Sequence, residues 1–124
     1  MIEKHKLLIV DDDDAVIDYL HANLGDRYDI VSTNAPENVL GLARKAAPSL
    51  ILCDVDMPGM DGGDVSKELF GDAEVRDIPV LFITNLVSPA DLTSTGHQIG
   101  GRPAISKQSP PEELLKKIEA LTRA

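Results

Sequence analysis

Tryptophan is missing from this sequence of 124 residues, and only four aromatic residues occur, Tyr19, Tyr28, Phe70 and Phe82. The core must therefore be built mostly from Leu, Ile, Val and Ala. Cysteine is nearly absent too. Cys53 stands alone, so no internal disulfide can form, which fits a reducing compartment. Positive charge is scarce: 12 Lys and Arg stand against 21 Asp and Glu, a net charge of −9. That argues against nucleic acid as a direct partner, because binding to a phosphate backbone needs a basic face. It argues equally against an anionic membrane surface. No apolar run approaches the roughly 20 residues of a membrane span. No signal-like stretch precedes the first apolar run, so the cytoplasm is the expected location. Linkers, repeats and low-complexity stretches are absent as well. At this length, residues 1–124 are expected to form one domain.

What is present is an alternation. Leu7–Val10, Leu50–Cys53 and Pro79–Thr84 are short, wholly apolar runs, and Tyr28–Thr33 also reads as a strand. Between them lie segments with helical spacing. Residues 15–24 place Val16, Ile17, Leu20 and Leu24 on one face. A second helix is expected from an Asn34 cap through about Ala47, with Pro36 in its first turn and Pro48 ending it. Asp64–Phe70 reads as a third, closed by Gly71. Ser88–His97 reads as a fourth, with Ser88 as cap and Pro89 in the first helical position. Ala104–Ser106 is a short fifth strand. A last helix opens at Ser109, with Glu112 three residues on as a capping box. Apolar strands alternating with helices predict an α/β fold, a doubly wound parallel sheet with helices on both faces.

In such sheets ligands bind beyond the carboxyl ends of the strands. Asp11 and Asp12 follow strand one, Asp54 follows strand three, Thr84 ends strand four and Lys107 ends strand five. Each has a bland reading alone. Asp11–Asp14 could be a solvated turn and helix start, Thr84 a plain β-former and Lys107 a surface lysine. Together they outweigh those readings, because every member falls at a strand end. Crowded carboxylates raise one another's pKa unless a cation neutralises them. An all-oxygen set suits a hard divalent ion, with magnesium (Mg2+) the best match. Lys107 adds a point charge suited to phosphate. The set points to phosphoryl transfer onto Asp54 as nucleophile. Cys53, on an apolar strand, reads as a small buried hydrophobe and not as a reactive thiol. His5, His21 and His97 show no ligand spacing, and Gly100-Gly101 is no phosphate loop.

The stretches "LLIVDDD", "PSLILCDVDMPGMDG", "DIPVLFIT" and "ISK" together resemble the response-regulator receiver domain of two-component signalling, across essentially the whole chain. The resemblance implies a five-stranded sheet of order 2-1-3-4-5, flavodoxin-like. It implies Asp54 as phospho-acceptor, Asp12 as a direct magnesium ligand, Asp11 as one acting largely through water, and the backbone carbonyl of Asp56 completing the protein ligands. Thr84 and Lys107 would contact the phosphoryl oxygens. The implied partners are a histidine kinase and a downstream protein, docked on the face made by the fourth helix, fifth strand and last helix. Such a domain is not a turnover enzyme, although it assists its own phosphorylation and dephosphorylation. A chemotaxis-type single-domain receiver signals by protein contact.

The sequence departs from the family pattern at four positions. The aromatic usual three residues before the lysine is Ala104, and the proline usual after the lysine is Gln108. The small residue usual after the threonine is Asn85, and the bulky apolar residue usual after "MDG" is Gly63. Two rival readings follow. A degenerate receiver would bind partners without being phosphorylated, which Ala104 and Gln108 favour and the intact acidic set opposes. A haloacid-dehalogenase-type phosphatase would use Asp54 and Asp56 of "DVD" as nucleophile and acid, but that family usually carries the motif on its first strand. Catalytic phosphate release would favour the phosphatase; slow labelling at one site would not.

Overall fold

The fold is that of a computed structural model, which describes residues 5–55, 62–84, 98–99 and 102–122. Among the described residues six strands form one sheet: β1 (Lys6–Val10), β2 (Asp29–Thr33), β3 (Leu50–Asp54), β4 (Val80–Thr84), β5 (Gln98–Ile99) and β6 (Arg102–Ser106). Their spatial order is β2-β1-β3-β4-β6-β5. The five longer strands are parallel throughout and keep the expected order 2-1-3-4-5 when counted alone. The extra two-residue β5 pairs antiparallel with β6 at the sheet's edge, Ile99 opposite Arg102. The sequence reading did not foresee it, although Gly-Gly between two short segments is a hairpin signal.

Alternation along the strands sorts the core into two layers. Leu8, Val10, Ile51, Cys53, Phe82 and Ala104 point to one face, where they meet Val39 and Ala43 of α2 (Val39–Ala46) and Val65 and Leu69 of α3 (Gly62–Phe70). Leu7, Ile9, Leu50, Leu52, Ile83 and Ile105 point to the other. There they meet Ile17, Leu20 and Leu24 of α1 (Asp14–Leu24) and Leu114 and Ile118 of α4 (Pro111–Thr122). Each buried Val, Leu, Ile or Phe side chain among them stabilises by roughly 1.5–3 kcal/mol. Among the described residues, no helix is long and apolar enough to cross a membrane.

The helix starts correct the expected caps. Asp13 caps α1, its carboxylate accepting from the Ala15 N–H at 2.9 Å. Asn34 does not cap the second helix. A 3-10 turn, Pro36–Asn38, precedes α2, and the Asn34 amide donates to Asp14 Oδ1 at 3.0 Å instead. Proline fixes φ for that tighter first turn, so the helix needs no side-chain cap there. Ala47 closes α2 in a left-handed conformation with φ of 48°, and Pro48 follows. The last helix begins at Pro111, and the Pro110 carbonyl accepts from Glu113. The expected fourth helix over Ser88–His97 lies outside the described residues. Arg44 of α2 is paired with Asp72 after α3, tying these two elements together. That guanidinium, which donates to the Asp72 carboxylate, holds the Asp72 pKa below the usual range.

Ala104 is 1% exposed and stands in register with Phe82, itself 2% exposed. Phe82 and Ala104 thus sit side by side in the same buried layer. Ala104→Tyr is expected to overpack this layer and cost about 1–3 kcal/mol, and Phe82→Ala to cost about 3–5 kcal/mol by opening a cavity. The double variant should lose less than the sum of the two, because one ring replaces the other. Urea denaturation of all four proteins measures this; strict additivity would show that the two sites do not share space.

Candidate functional site

The four aspartates after β1 have separate places. Asp11 is fully buried. Its N–H donates to the Thr33 carbonyl of β2 at 3.2 Å, and its Oδ1 accepts from the Asp13 N–H at 2.9 Å. Asp13 caps α1, and Asp14 opens it and holds Asn34. Asp12 is exposed and joins Asp11 and Asp54 in a cluster whose nearest carboxylate oxygens all lie within 4.8 Å of one another. The run is therefore a helix start and an acidic pocket at once.

Asp54 is the last residue of β3 and is 5% exposed. Strands β1 and β3 are paired up to Val10 opposite Cys53, so the residues that follow, Asp11 and Asp54, leave the sheet side by side. Thr84 ends β4, also buried. Lys107 lies one residue past β6, in a turn, and its N–H donates to the Thr84 carbonyl at 2.7 Å. Its ammonium stands 2.8 Å from Asp11 Oδ2 and 3.5 Å from Asp54 Oδ1. Burial pushes the Lys107 pKa down, but the two carboxylates outweigh it and hold the ammonium above the ordinary lysine value. Asp11, Asp12, Asp54 and Lys107 are thus brought together through their side chains, with Thr84 attached through the backbone. Asp56 lies outside the described residues.

The pocket can hold a cation. Asp11 Oδ2 is buried and, among the described residues, is the one buried side-chain atom without a hydrogen bond of proper geometry. The Lys107 ammonium is its close neighbour, engaged as an ion pair. A buried carboxylate oxygen held by an ammonium at 2.8 Å, beside two more carboxylates and with no sulfur or nitrogen donor among the three acidic residues, fits a hard divalent metal ion.

Other candidates among the described residues do not join the site, and His97 and Gly100-Gly101 lie outside those residues. Burial pushes the Cys53 thiol up to about 12, and the Asp54 and Asp11 carboxylates push in the same direction. A thiol held so far from ionisation is a poor nucleophile, as its apolar strand led us to expect. His5 pairs with Ser49 at 3.1 Å and His21 with Ser32 at 3.2 Å. The residue that sequence reasoning missed is Ser106. It is 3% exposed, and its Oγ accepts from the Gln108 N–H at 3.1 Å. The signal was there: a hydroxyl ending an apolar strand two residues before a position that is not proline.

A sequence model described as response regulator receiver domain matches residues 7–119. The chain is 37% identical over 120 residues to the response regulator PleD of Caulobacter vibrioides, covering 95% of this chain and 26% of that protein. It is 35% identical over 121 residues to the DNA-binding dual master transcriptional regulator RpaA of Synechocystis, covering 95% of this chain and 49% of that one. The chain spans about half the length of the first curated relatives it matches. Among solved structures, the chemotaxis protein CheY4 of Vibrio cholerae superposes with a TM-score of 0.80 at 28% identity, covering 96% of this chain and 99% of that one.

The ion pair yields a stability prediction. Lys107→Met should leave buried Asp11 Oδ2 uncompensated and, without divalent ions, cost about 3 kcal/mol, the low end for a broken buried pair because the pocket opens to solvent at Asp12. Millimolar magnesium should restore part of it by binding the folded state. The folded Lys107 pKa is raised, so the pair's contribution is complete below the unfolded lysine pKa. It is lost as pH rises through the folded one. The native urea midpoint should fall over that alkaline range with a step that Lys107→Met lacks. Equal midpoints for the two proteins at neutral pH would refute the ion pair's role.

Proposed function

The chain belongs to the response regulator receiver family, and on that premise we propose that it is a phosphorylation-controlled switch whose phospho-acceptor is Asp54. One observation carries the reading: the Lys107 ammonium within 3.5 Å of Asp54 Oδ1 and 2.8 Å of Asp11 Oδ2, at the mouth of a three-carboxylate pocket. An Asp54 carboxylate oxygen forms the new P–O bond as the P–N bond to the kinase's phosphohistidine breaks. The bonding pair leaves with the imidazole nitrogen, which takes up a proton. Asp12, Asp54 and the Asp56 carbonyl would hold magnesium, with Asp11 acting largely through water, and the ion would neutralise the carboxylates and the incoming phosphoryl oxygens. Lys107 holds one phosphoryl oxygen by a charge-assisted hydrogen bond, and the Thr84 hydroxyl donates to another. No acid–base triad or metal-activated water is needed, so the chemistry is positioning and charge.

The donor is a histidine kinase and the readout is protein contact, on a face that includes β6 and the last helix, α4. The exposed Glu112, Glu113 and Lys116 of α4 offer polar anchors there. The net charge of −9 disfavours direct nucleic-acid contact by this domain. One unpaired, buried cysteine suits a cytoplasmic setting.

Incubation with a small phosphodonor and magnesium, followed by intact mass, tests the reading. One phosphoryl group should add to the native chain, none to Asp54→Asn, and chelator should abolish labelling. Equal labelling of Asp54→Asn would overturn the assignment. No labelling at all would favour a receiver that binds partners without phosphorylation, and catalytic release of phosphate from a generic phosphomonoester would favour a phosphatase.

A further inference from the structure

Lys107 sits on a turn, yet its ammonium reaches carboxylates carried at the ends of β1 and β3. The lysine stem is flexible, and its ammonium is a point charge without the pre-organised fork of arginine. Its reach is defined only if the Cα from which it hangs is fixed. Both peptide groups flanking that Cα are held. On one side the Lys107 N–H donates to the Thr84 carbonyl at 2.7 Å. On the other, the Gln108 N–H donates to Ser106 Oγ at 3.1 Å. The Ser109 N–H donates to the Ser106 carbonyl at 3.0 Å and closes the turn.

Ser106 ends a strand whose preceding residues, Ala104 and Ile105, are apolar and buried, and it is itself buried in register with Thr84. A buried hydroxyl is costly unless it is hydrogen-bonded. A serine hydroxyl that accepts from the N–H two residues on is a local motif that sets the direction of a turn. A proline at position 108 would have no N–H to give, so Ser106 and Gln108 work as a pair.

We propose that Ser106 is a positioning residue: by holding the Gln108 N–H, its hydroxyl fixes the Lys107 Cα and thereby aims the ammonium at Asp11 and Asp54. Its bearing on phosphorylation rests on the reading of Asp54 as phospho-acceptor, whereas its bearing on the lysine's position does not. The full chain therefore needs two readouts. One is the NMR signal of the Lys107 Cε group in lysine-labelled protein; the other is the rate of labelling by a small phosphodonor with magnesium. In Ser106→Ala the Lys107 signal should move toward those of exposed lysines. Labelling should slow about tenfold, inside the roughly 10²-fold that a small misplacement can cost. The melting temperature should change little, because Gln108 is exposed and its N–H can turn to water. Ser106→Thr keeps the hydroxyl and should restore both readouts. Ser106→Val has the shape of threonine without that hydroxyl and should behave as Ser106→Ala does, which keeps the test open if the alanine variant is poorly folded. In a Lys107→Ala background, Ser106→Ala should slow labelling no further. An unmoved Lys107 signal in Ser106→Ala and Ser106→Val, or the same loss of rate without the lysine, would overturn the proposal. If the native chain takes no label, the phospho-acceptor reading fails, and the lysine signal still decides whether Ser106 positions Lys107.

Discussion

Repulsion among Asp11, Asp12 and Asp54 is the constraint around which the rest of the site is arranged. At about 4 Å, two like charges oppose each other by roughly 1 kcal/mol in water and about 4 kcal/mol in a partly shielded site. Ordinary surface carboxylates would turn away. Asp11 and Asp54 cannot, because the strands that carry them are locked neighbours, paired from Leu7 with Leu50 to Val10 with Cys53. The apolar sheet supplies the force that holds them: each strand is buried on both faces, and a slip by one residue would turn every side chain to the wrong layer. The fold thus stores an electrostatic demand at its edge, and a cation must meet it. Among the described residues the Lys107 ammonium is that cation, one positive charge beside three carboxylates. The remainder is what makes the pocket receptive to a divalent ion.

The same field reaches the neighbours. Cys53 lies on β3 immediately before Asp54, and its thiol is driven away from ionisation first by burial and then by the two carboxylates. Its Sγ donates to the Asp54 carbonyl at 3.3 Å, so it serves the end of the strand and not a reaction of its own. Lys107 is pulled the other way, held in its charged form by the same two groups despite its burial. One pocket therefore keeps a thiol protonated and an ammonium charged. That combination suits chemistry in which Lys107 acts as a fixed charge and gives up no proton.

Much of this was legible in the sequence because the fold writes its strands as short apolar runs. Leu7–Val10, Leu50–Cys53 and Pro79–Thr84 could only be buried strands, and the polar residues that end them had to meet at one edge. What escaped was set by local backbone chemistry. Asn34 looks like a cap, but the chain enters α2 through a proline-led 3-10 turn, and the amide is drawn to Asp14 instead. The sequence placed Asp11 and Asp12 in the pocket but did not say which of the four aspartates caps the helix, because every member is a good cap; the structure gives that role to Asp13. The hairpin strand β5 is two residues long, too short for any periodicity to reveal. Ser106 escaped because one hydroxyl at a strand end is ordinary until its partner, the Gln108 N–H, is seen.

The departures at positions 104 and 108 bear on which receiver reading is preferred. If the site had decayed, residues 104 and 108 would be expected to have lost matching neighbours. Both have one. The ring of Phe82 lies in register beside Ala104 and shares one buried layer with it, so that layer is packed without an aromatic on β6. The N–H that Gln108 brings is taken up by Ser106. Each departure is matched by a neighbour, and neither disturbs the contacts that Lys107 makes with Asp11 and Asp54. Loss of function does not by itself create such matched pairs, whereas retention of the pocket requires that its supports remain closed-packed and hydrogen-bonded. The local compensation therefore favours a receiver that keeps its phosphoryl chemistry over one that has abandoned it, and it moves what is unusual about this chain to the layer behind Ala104 and the turn after β6.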